Sequence, residues 1–113
     1  MTRHNDMTRL HHMVDHAREA VAMLRTMSRS DLGHNRMLEL ALVRLIEVVG
    51  EAAVRVSDSG KAQYPSIPWR SVTGMRNRLI HGYDEVDLDV LWDTIMLDLP
   101  PLIAELERIV AGG

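Results

Sequence analysis

Eight consecutive residues near two-thirds of the chain carry the side chains best suited to chemistry. Residues 76–83 read Arg-Asn-Arg-Leu-Ile-His-Gly-Tyr and combine guanidinium, carboxamide, imidazole and phenol groups. A guanidinium binds a phosphate through two parallel hydrogen bonds, and an imidazole exchanges protons near neutral pH. Arginine and histidine together therefore suffice, in principle, to cleave RNA without a metal ion or any other cofactor.

Each of these side chains has a candidate role in such a reaction. His81 is expected to take the proton of a ribose 2′-OH or to protonate the leaving 5′-oxygen. Arg76 would stabilise the charge that develops on the phosphorane. Asn77 would orient the imidazole or hydrogen-bond the phosphate, whereas Arg78 is expected to be an exposed or a phosphate-steering residue and not a catalyst. Tyr83 would lie at the lip of the same cleft.

Helical geometry restricts how these residues meet. Five residues of a regular helix turn through about 500°, so Arg76 and His81 would point about 140° apart. Asn77 and His81, four residues apart, would share a face. Either the helix frays at Gly82 and turns His81 back, or two chains meet across a two-fold axis and place both Arg76–His81 pairs in one cleft. A homodimer would also double the positive charge that faces RNA.

Composition narrows the class of protein. A chain of 113 residues is expected to form a single domain, 1–113, with a modest core and flexible residues 1–7. The absence of cysteine excludes disulfides, thiolate metal sites and a cysteine nucleophile. A net charge of −3 means that any RNA contact must be local or shared between subunits. The sequence has no apolar leader or membrane-length stretch, which predicts a cytoplasmic protein.

Apolar residues recur with helical spacing in the first half of the chain. They predict an amphipathic helix from about Thr8 to Met27, capped by Asp6 or by Thr8 itself, followed by a turn over Ser28–His34. A second helix should run from about Asn35 to Ser57. Its apolar side chains cover more than half of its circumference, so it should be central or face both a core and a partner. Gly50 within it predicts close approach of another backbone.

The second half of the chain predicts two further helices. Asp58–Pro68 is expected to be a loop, and a short third helix should start at or just after Ser66 and end with Gly82 as a C-cap residue. Asp87 should cap a fourth helix, which Pro100-Pro101 would kink or split. No stretch alternates with a period of two for long enough to form a strand. The sequence therefore predicts an all-α antiparallel bundle of four main helices.

The motif and its flanks resemble a known superfamily. Arg76-Asn77-x-x-x-His81 resembles the HEPN signature of Arg, a polar residue, three variable positions and His, and the extension to Tyr83 resembles the R-x4-H-x-Y form of HepT-type toxins. Three more segments are similar to that family: IEVVGEAA at 46–53, YPSIPW at 64–69, and LWD with DLP between 91 and 100. R-x4-H alone is a weak signal, but four segments in order, spanning about residues 8–110, are specific. Gly82 and Val49 are mild departures from the family pattern.

The resemblance implies a dimeric, all-α, metal-independent ribonuclease that acts as a toxin. It implies a partner, a minimal nucleotidyltransferase antitoxin of the MntA type, that transfers AMP to the motif tyrosine, here Tyr83. Phosphate added beside Arg76 and His81 would occupy the anion site and repel RNA. No metal and no cofactor are implied.

The sequence raises two other functional hypotheses. A non-catalytic HEPN module would bind only a nucleotidyltransferase or a nucleotide, and RNA cleavage in EDTA by the wild type but not by His81→Ala would distinguish the enzyme from it. A Mg²⁺-dependent nucleotidyltransferase is rejected, because the chain has no Gly-Ser start and Asp87-x-Asp89 opens a helix instead of forming a metal pair.

Several residues also have purely structural interpretations. Arg76 could pair with Asp84 or Glu85 at a solvated helix end, and Tyr83 could merely pack or cap. His12 and His16 have a metal-binding spacing, but one helix supplies too few ligands. Glu47 and Glu51 are expected to form structural ion pairs with the neighbouring Arg44 and Arg55. Trp69 and Trp92 are expected to be core or interface anchors.

Overall fold

The computed structural model describes residues 3–82 and 85–112, and these confirm an all-α fold with one very short strand pair. The elements in chain order are α1 (Arg3–Leu24), α2 (Arg29–Gly33), α3 (Arg36–Val54), α4 (Asp58–Gln63), α5 (Trp69–Thr73), α6 (Met75–Leu79), β1 (Ile80–His81), β2 (Glu85–Val86), α7 (Leu88–Asp93), a π-helical stretch (Thr94–Asp98) and α8 (Leu99–Gly112).

The core lies between the three long helices. α1 packs along α3 and against α8, while α5 and α6 cover the far side of α3. The apolar stripes predicted from helical spacing supply the largest fully buried side chains, which include Leu10, Met13, Leu24, Leu42, Ile46, Leu91, Ile95, Leu99 and Leu106. These stripes fix which faces of α3 and α6 remain at the surface.

The first helix begins earlier than Thr8, the start predicted from the sequence. It is helical from Arg3, and Asp6 is only 7% exposed, so neither Asp6 nor Thr8 caps it. Asp6 Oδ1 accepts a hydrogen bond from Ser57 N at 2.9 Å, and Oδ2 accepts one from Ser57 Oγ at 2.6 Å. Burial raises the pKa of Asp6, but the two bonds from Ser57 outweigh it and leave that pKa below its usual value. The carboxylate thus ties α1 to the start of α4.

Two segments predicted to be irregular contain short helices. α2 lies within Ser28–His34 and starts with a capping box between Ser28 and Asp31. α4 lies within Asp58–Pro68, where Ser57 Oγ accepts from Gly60 N at 3.0 Å. Both predictions were wrong because elements of five and six residues are too short to show a period. The predicted start of α3 is confirmed, since Asn35 Oδ1 accepts from Leu38 N at 3.0 Å.

Close backbone approach at Gly50 is confirmed. A Cβ built on Gly50 would lie 3.4 Å from Val72 O and 3.8 Å from Thr73 O, so α5 crosses α3 at this point. The third helix is also not continuous. It starts at Trp69, just after Ser66 as predicted, but Gly74 separates α5 from α6.

Helix α6 ends at Leu79, before the motif histidine. Ile80 pairs with Val86 and His81 with Glu85 in an antiparallel ladder. Gly82 has a φ of +66° and lies in the turn after β1. The predictions that Gly82 would cap a helix and that no strand would form are therefore wrong. A ladder of two residues per strand is too short to appear as alternation in the sequence.

The last helix is kinked and continuous. A π-helical stretch, Thr94–Asp98, precedes Pro100-Pro101, and Leu99 N donates to Thr94 O, five residues back. Each proline lacks an N–H, and its ring would strike the carbonyl four residues earlier in an α-helix. A π turn is wider than an α-helical turn, which leaves room for the proline rings. Asp87 caps α7 as predicted, because its side chain accepts from Val90 N at 3.1 Å.

Candidate active site

The short helix α6 presents the first half of the motif to solvent. Its two ends are anchored by Met75, 3% exposed, and by Leu79, which is fully buried. These anchors are four residues apart, so the three residues between them lie on the outer face. Those residues are Arg76, Asn77 and Arg78, and all three are exposed.

Arg76 pairs with a carboxylate of α3. Its Nε lies 2.7 Å from Glu47 Oε2, while Glu47 Oε1 accepts a 2.7 Å hydrogen bond from Arg44. The Arg44 bond lowers the pKa of Glu47, partial burial opposes it, and the charge of Arg76 lowers it further. Glu47 is therefore ionised at neutral pH and holds Arg76 by its Nε. The terminal nitrogens of Arg76 remain the groups with which it would bind a phosphate.

A surface depression of about 460 Å³ surrounds this ion pair. Its lining comes from α3 and from the α5–α6 segment and consists of Glu47, Gly50, Glu51, Val54, Arg55, Thr73, Arg76 and Asn77. Arginine and carboxamide side chains thus face a common space, as phosphate binding requires. His81 is not among the lining residues.

His81 has a different acidic neighbour. Its Nε2 lies 3.1 Å from Asp87 Oδ2, and the imidazole is exposed. Asp87 itself is fixed by its backbone, because its N–H donates to Leu79 O at 2.7 Å. The carboxylate that contacts His81 is thereby attached to the end of the helix that carries Arg76.

Arg76 and His81 have separate contacts within one chain. Across residues 5–82 and 85–112, no hydrogen bond or ion pair joins them, and they lie on α6 and β1 with separate carboxylate partners. The helix ends before His81, as one of the two predicted arrangements required, but each side chain has its own carboxylate partner. Tyr83 and Asp84 lie outside the described residues, and Arg76 pairs with Glu47 rather than with Glu85.

Arg78 and Arg70 form a second basic surface. Together with Pro68, Trp69 and Ser71 they line a shallow depression of about 550 Å³. Neither arginine has an acidic partner in the described part of the chain. This agrees with the expectation that Arg78 is exposed, and it leaves two guanidiniums free to contact phosphate.

The structural interpretations of the indoles and the carboxylates are largely confirmed. Trp69 packs against the core, and its Nε1 donates to Tyr64 O at 3.0 Å and to Lys61 O at 3.2 Å. Trp92 is also packed against the core. Arg44 pairs with Glu47 at 2.7 Å and with Glu51 at 3.8 Å, but the further partner of Glu47 is Arg76 and not Arg55.

The two N-terminal histidines contact each other. His16 Nδ1 lies 2.7 Å from His12 O, and their rings meet edge to face with centroids 6.3 Å apart. In the described ranges, no three His, Cys, Asp or Glu side chains are grouped closely enough to hold a metal ion. Nor does any helix in those ranges have both the length and the apolar content to span a bilayer.

Comparison with known proteins identifies the family. A family model described as "Ribonuclease HepT-like" matches residues 13–109, which include the whole motif and both of its acidic neighbours. The chain belongs to the HepT-like ribonuclease family. This confirms the resemblance drawn from the motif and its three flanking segments.

Individual members of the HepT-like family are similar over most of their length. "Probable ribonuclease HepT" of Thermococcus cleftensis is 34% identical over 95 residues, which cover 80% of this chain and 86% of that protein. "Putative RNase MJ1380" of Methanocaldococcus jannaschii is 27% identical over 100 residues, which cover 88% of this chain and 92% of the relative. No solved structure matches the chain.

Two residues that contact the HepT-like motif were missed as site residues. Asp87 was predicted only as a helix cap, although a tight turn after His81 would have brought it back toward the imidazole. Glu47 was predicted only as a partner of α3 arginines. Its contact with Arg76 depends on how α6 packs on α3, and spacing along the sequence carries no signal for that.

Proposed function

We propose that this HepT-like protein is a metal-independent endoribonuclease that uses Arg76 and His81. Family membership supports ribonuclease activity, and the observation that carries the residue assignment is the exposure of both side chains beside fixed carboxylates. Glu47 holds Arg76 by its Nε, and Asp87 contacts His81 at Nε2. Each reactive group is thus oriented on one side and open to solvent on the other.

The chemistry would be attack by the ribose 2′-oxygen on the adjacent phosphorus. The 2′-O–P bond forms and the P–O5′ bond breaks, which leaves a 2′,3′-cyclic phosphate and a 5′-hydroxyl. The 2′-OH proton passes to a base, and the leaving 5′-oxygen receives a proton from an acid. His81 would perform one of these two transfers, worth roughly 10²–10⁴-fold in rate. Arg76 would bind the charged phosphorane oxygens.

We further propose that the active form is a homodimer with a site built from both chains. The separate carboxylate partners of Arg76 and His81 within one chain support this. So do exposed apolar side chains toward the two ends of α3, where Met37, Leu40 and Val54 are 83%, 51% and 60% exposed. Glu47, the partner of Arg76, lies between them on the same face of α3. Two-fold packing of this face would bring two Arg76 side chains toward one cleft.

RNA cleavage in EDTA tests the enzymatic proposal. Wild-type protein should produce fragments ending in 2′,3′-cyclic phosphate, while His81→Ala and Arg76→Ala should lose at least a hundredfold in rate, as expected for loss of proton transfer or of phosphorane stabilisation. His12→Ala is the matched control, because it removes an exposed histidine far along the chain. RNA that remains intact with folded, dimeric wild-type protein would instead support a non-catalytic binding module.

Mixing the two inactive variants tests the composite site. If Arg76 of one chain acts with His81 of the other, a heterodimer of Arg76→Ala and His81→Ala holds one complete site. Its activity should then recover to a sizeable fraction of wild type after subunit exchange. If both residues act within one chain, every heterodimer lacks a complete site and the mixture stays inactive.

We also propose that a nucleotidyltransferase antitoxin silences the enzyme at Tyr83. The phenol oxygen would attack the α-phosphorus of ATP, pyrophosphate would leave, and the phenol proton would pass to solvent. The neighbouring turn supports access, since Gly82 and His81 are both exposed. Incubation with ATP and a minimal nucleotidyltransferase of the MntA type should add AMP to wild type but not to Tyr83→Phe. Label retained by Tyr83→Phe would reject this acceptor.

A further inference from the structure

The strand pair places one carboxylate between the motif histidine and a helix end. Asp87 follows β2 directly, and the pairing of His81 with Glu85 brings the chain back alongside the imidazole. Its Oδ2 lies 3.1 Å from His81 Nε2. Its Oδ1 accepts from Val90 N at 3.1 Å and caps α7. The two oxygens therefore have separate tasks.

The backbone leaves this carboxylate little freedom. Asp87 N donates to Leu79 O at 2.7 Å, and Asp87 O accepts from Leu91 N at 2.9 Å. Because Oδ1 must remain on the Val90 N–H to cap the helix, Oδ2 is the atom left to face His81. An acceptor fixed beside one ring nitrogen keeps the proton on that nitrogen.

We propose that Asp87 is a positioning residue that holds a proton on Nε2 of His81, so that Nδ1 is the nitrogen that exchanges protons with RNA. Among the described residues, Nδ1 has no hydrogen-bond partner. As a base, the neutral ring would accept the 2′-OH proton at Nδ1. As an acid, the charged ring would donate from Nδ1 to the 5′-oxygen. In both cases the proton stays on Nε2, which continues to donate a hydrogen bond to Asp87. This inference rests on the ribonuclease proposal.

Asp87→Asn removes the negative charge of the side chain but keeps its ability to cap α7. Asparagine caps helices as well as aspartate does, and only its carbonyl oxygen can accept from Val90 N. Its NH₂ group must then face His81 and donate to Nε2, which moves the ring proton to Nδ1. The protein should fold normally, while kcat should fall by about 10–100-fold with KM little changed, because the wrong tautomer is held.

Asp89→Asn is the matched control. It makes the same change in charge two residues away, in the same first turn of α7, where Asp89 is exposed and pairs with Arg29 at 2.8 Å. It should alter neither kcat nor the ring tautomer of His81.

The ring nitrogens of His81 can be observed directly by ¹⁵N NMR at a pH where the imidazole is neutral. Wild type and Asp89→Asn should show the proton on Nε2, and Asp87→Asn should show it largely on Nδ1. A wild-type proton on Nδ1, or an unchanged tautomer with unchanged kcat in Asp87→Asn, would overturn the inference. If wild type cleaves no RNA, the ribonuclease proposal and the role of Nδ1 in cleavage fail together. The spectra then still decide whether Asp87 orients the ring.

Discussion

Replacing Gly60 by alanine should destabilise the protein, although alanine usually stabilises a helix. A Cβ at Gly60 would lie 2.5 Å from Oδ2 and 3.0 Å from Cγ of Asp6. A flexible side chain could swing away, but Asp6 is buried and both of its oxygens accept hydrogen bonds from Ser57. The new methyl group must therefore break at least the 2.6 Å bond to Ser57 Oγ.

The size of the effect follows from two opposed contributions. Alanine in place of glycine contributes about 1 kcal/mol of helix propensity. A hydrogen bond to a charged group is worth about 1.5–3 kcal/mol, and the displaced carboxylate stays buried. The net loss should be about 1–2 kcal/mol in the free energy of unfolding. For a chain of this length, Tm should fall by roughly 4 °C per kcal/mol.

Gly50→Ala provides the comparison in the same assay. Its Cβ would meet Val72 O at 3.4 Å, an ordinary van der Waals distance, so stability should stay within about 0.5 kcal/mol of wild type or rise by up to about 1 kcal/mol. Urea unfolding followed by circular dichroism measures both variants. Combining Gly60→Ala with Asp6→Ala should abolish the penalty of the glycine substitution.

A Gly60→Ala variant at least as stable as wild type would refute this reasoning, because Asp6 would then be free to move without cost. If the loss of stability persists in the Asp6→Ala background, its cause is instead a clash with Val56, whose Cγ1 lies 3.0 Å from the same Cβ position.

Three other outcomes are expected. Arg108, and then Ser66, lower the pKa of Glu105 to about 2. The interaction therefore stabilises the fold above the ordinary pKa of 4.5, and this stabilisation is lost as pH falls toward 2. Arg108→Ala should be less stable than wild type in urea unfolding at pH 7, and the two should not differ near pH 2. Asn35→Ala should remove the cap of α3 and lower the unfolding free energy by about 1 kcal/mol, whereas Asn35→Asp should not. Trp69→Phe should lower Tm by several degrees, because two carbonyls lose the indole donor.

The long helices were predictable because their signals repeat. Apolar side chains at helical spacing predicted α1, α3 and the last helix, and the residue type of Gly50 predicted the close approach of α5. The short elements were not predictable in this way. α2 depends on one capping box and β1 on two ladder residues, so neither extends over enough residues to show a period.

The candidate site was predictable in its residues and not in its contacts. The motif predicts Arg76 and His81 as site residues, and helical geometry predicts that they would not converge within one regular helix. The structure instead ends that helix at Leu79, before His81. Their carboxylate partners depend on tertiary packing. Glu47 reaches Arg76 only because α6 lies on α3, and Asp87 reaches His81 only because the chain reverses after Gly82.

The π-helical stretch before the two prolines has a consequence for aligning relatives. A five-residue hydrogen-bonded turn contains one residue more than the α-helical turn that it replaces. Here the extra residue lies at the exposed positions Met96 and Leu97, while Ile95 and Leu99 on either side stay buried. A relative with an ordinary α-helical turn and no proline at this place should be one residue shorter. The alignment gap then belongs at Met96 or Leu97, and placing it elsewhere would shift buried positions onto the surface.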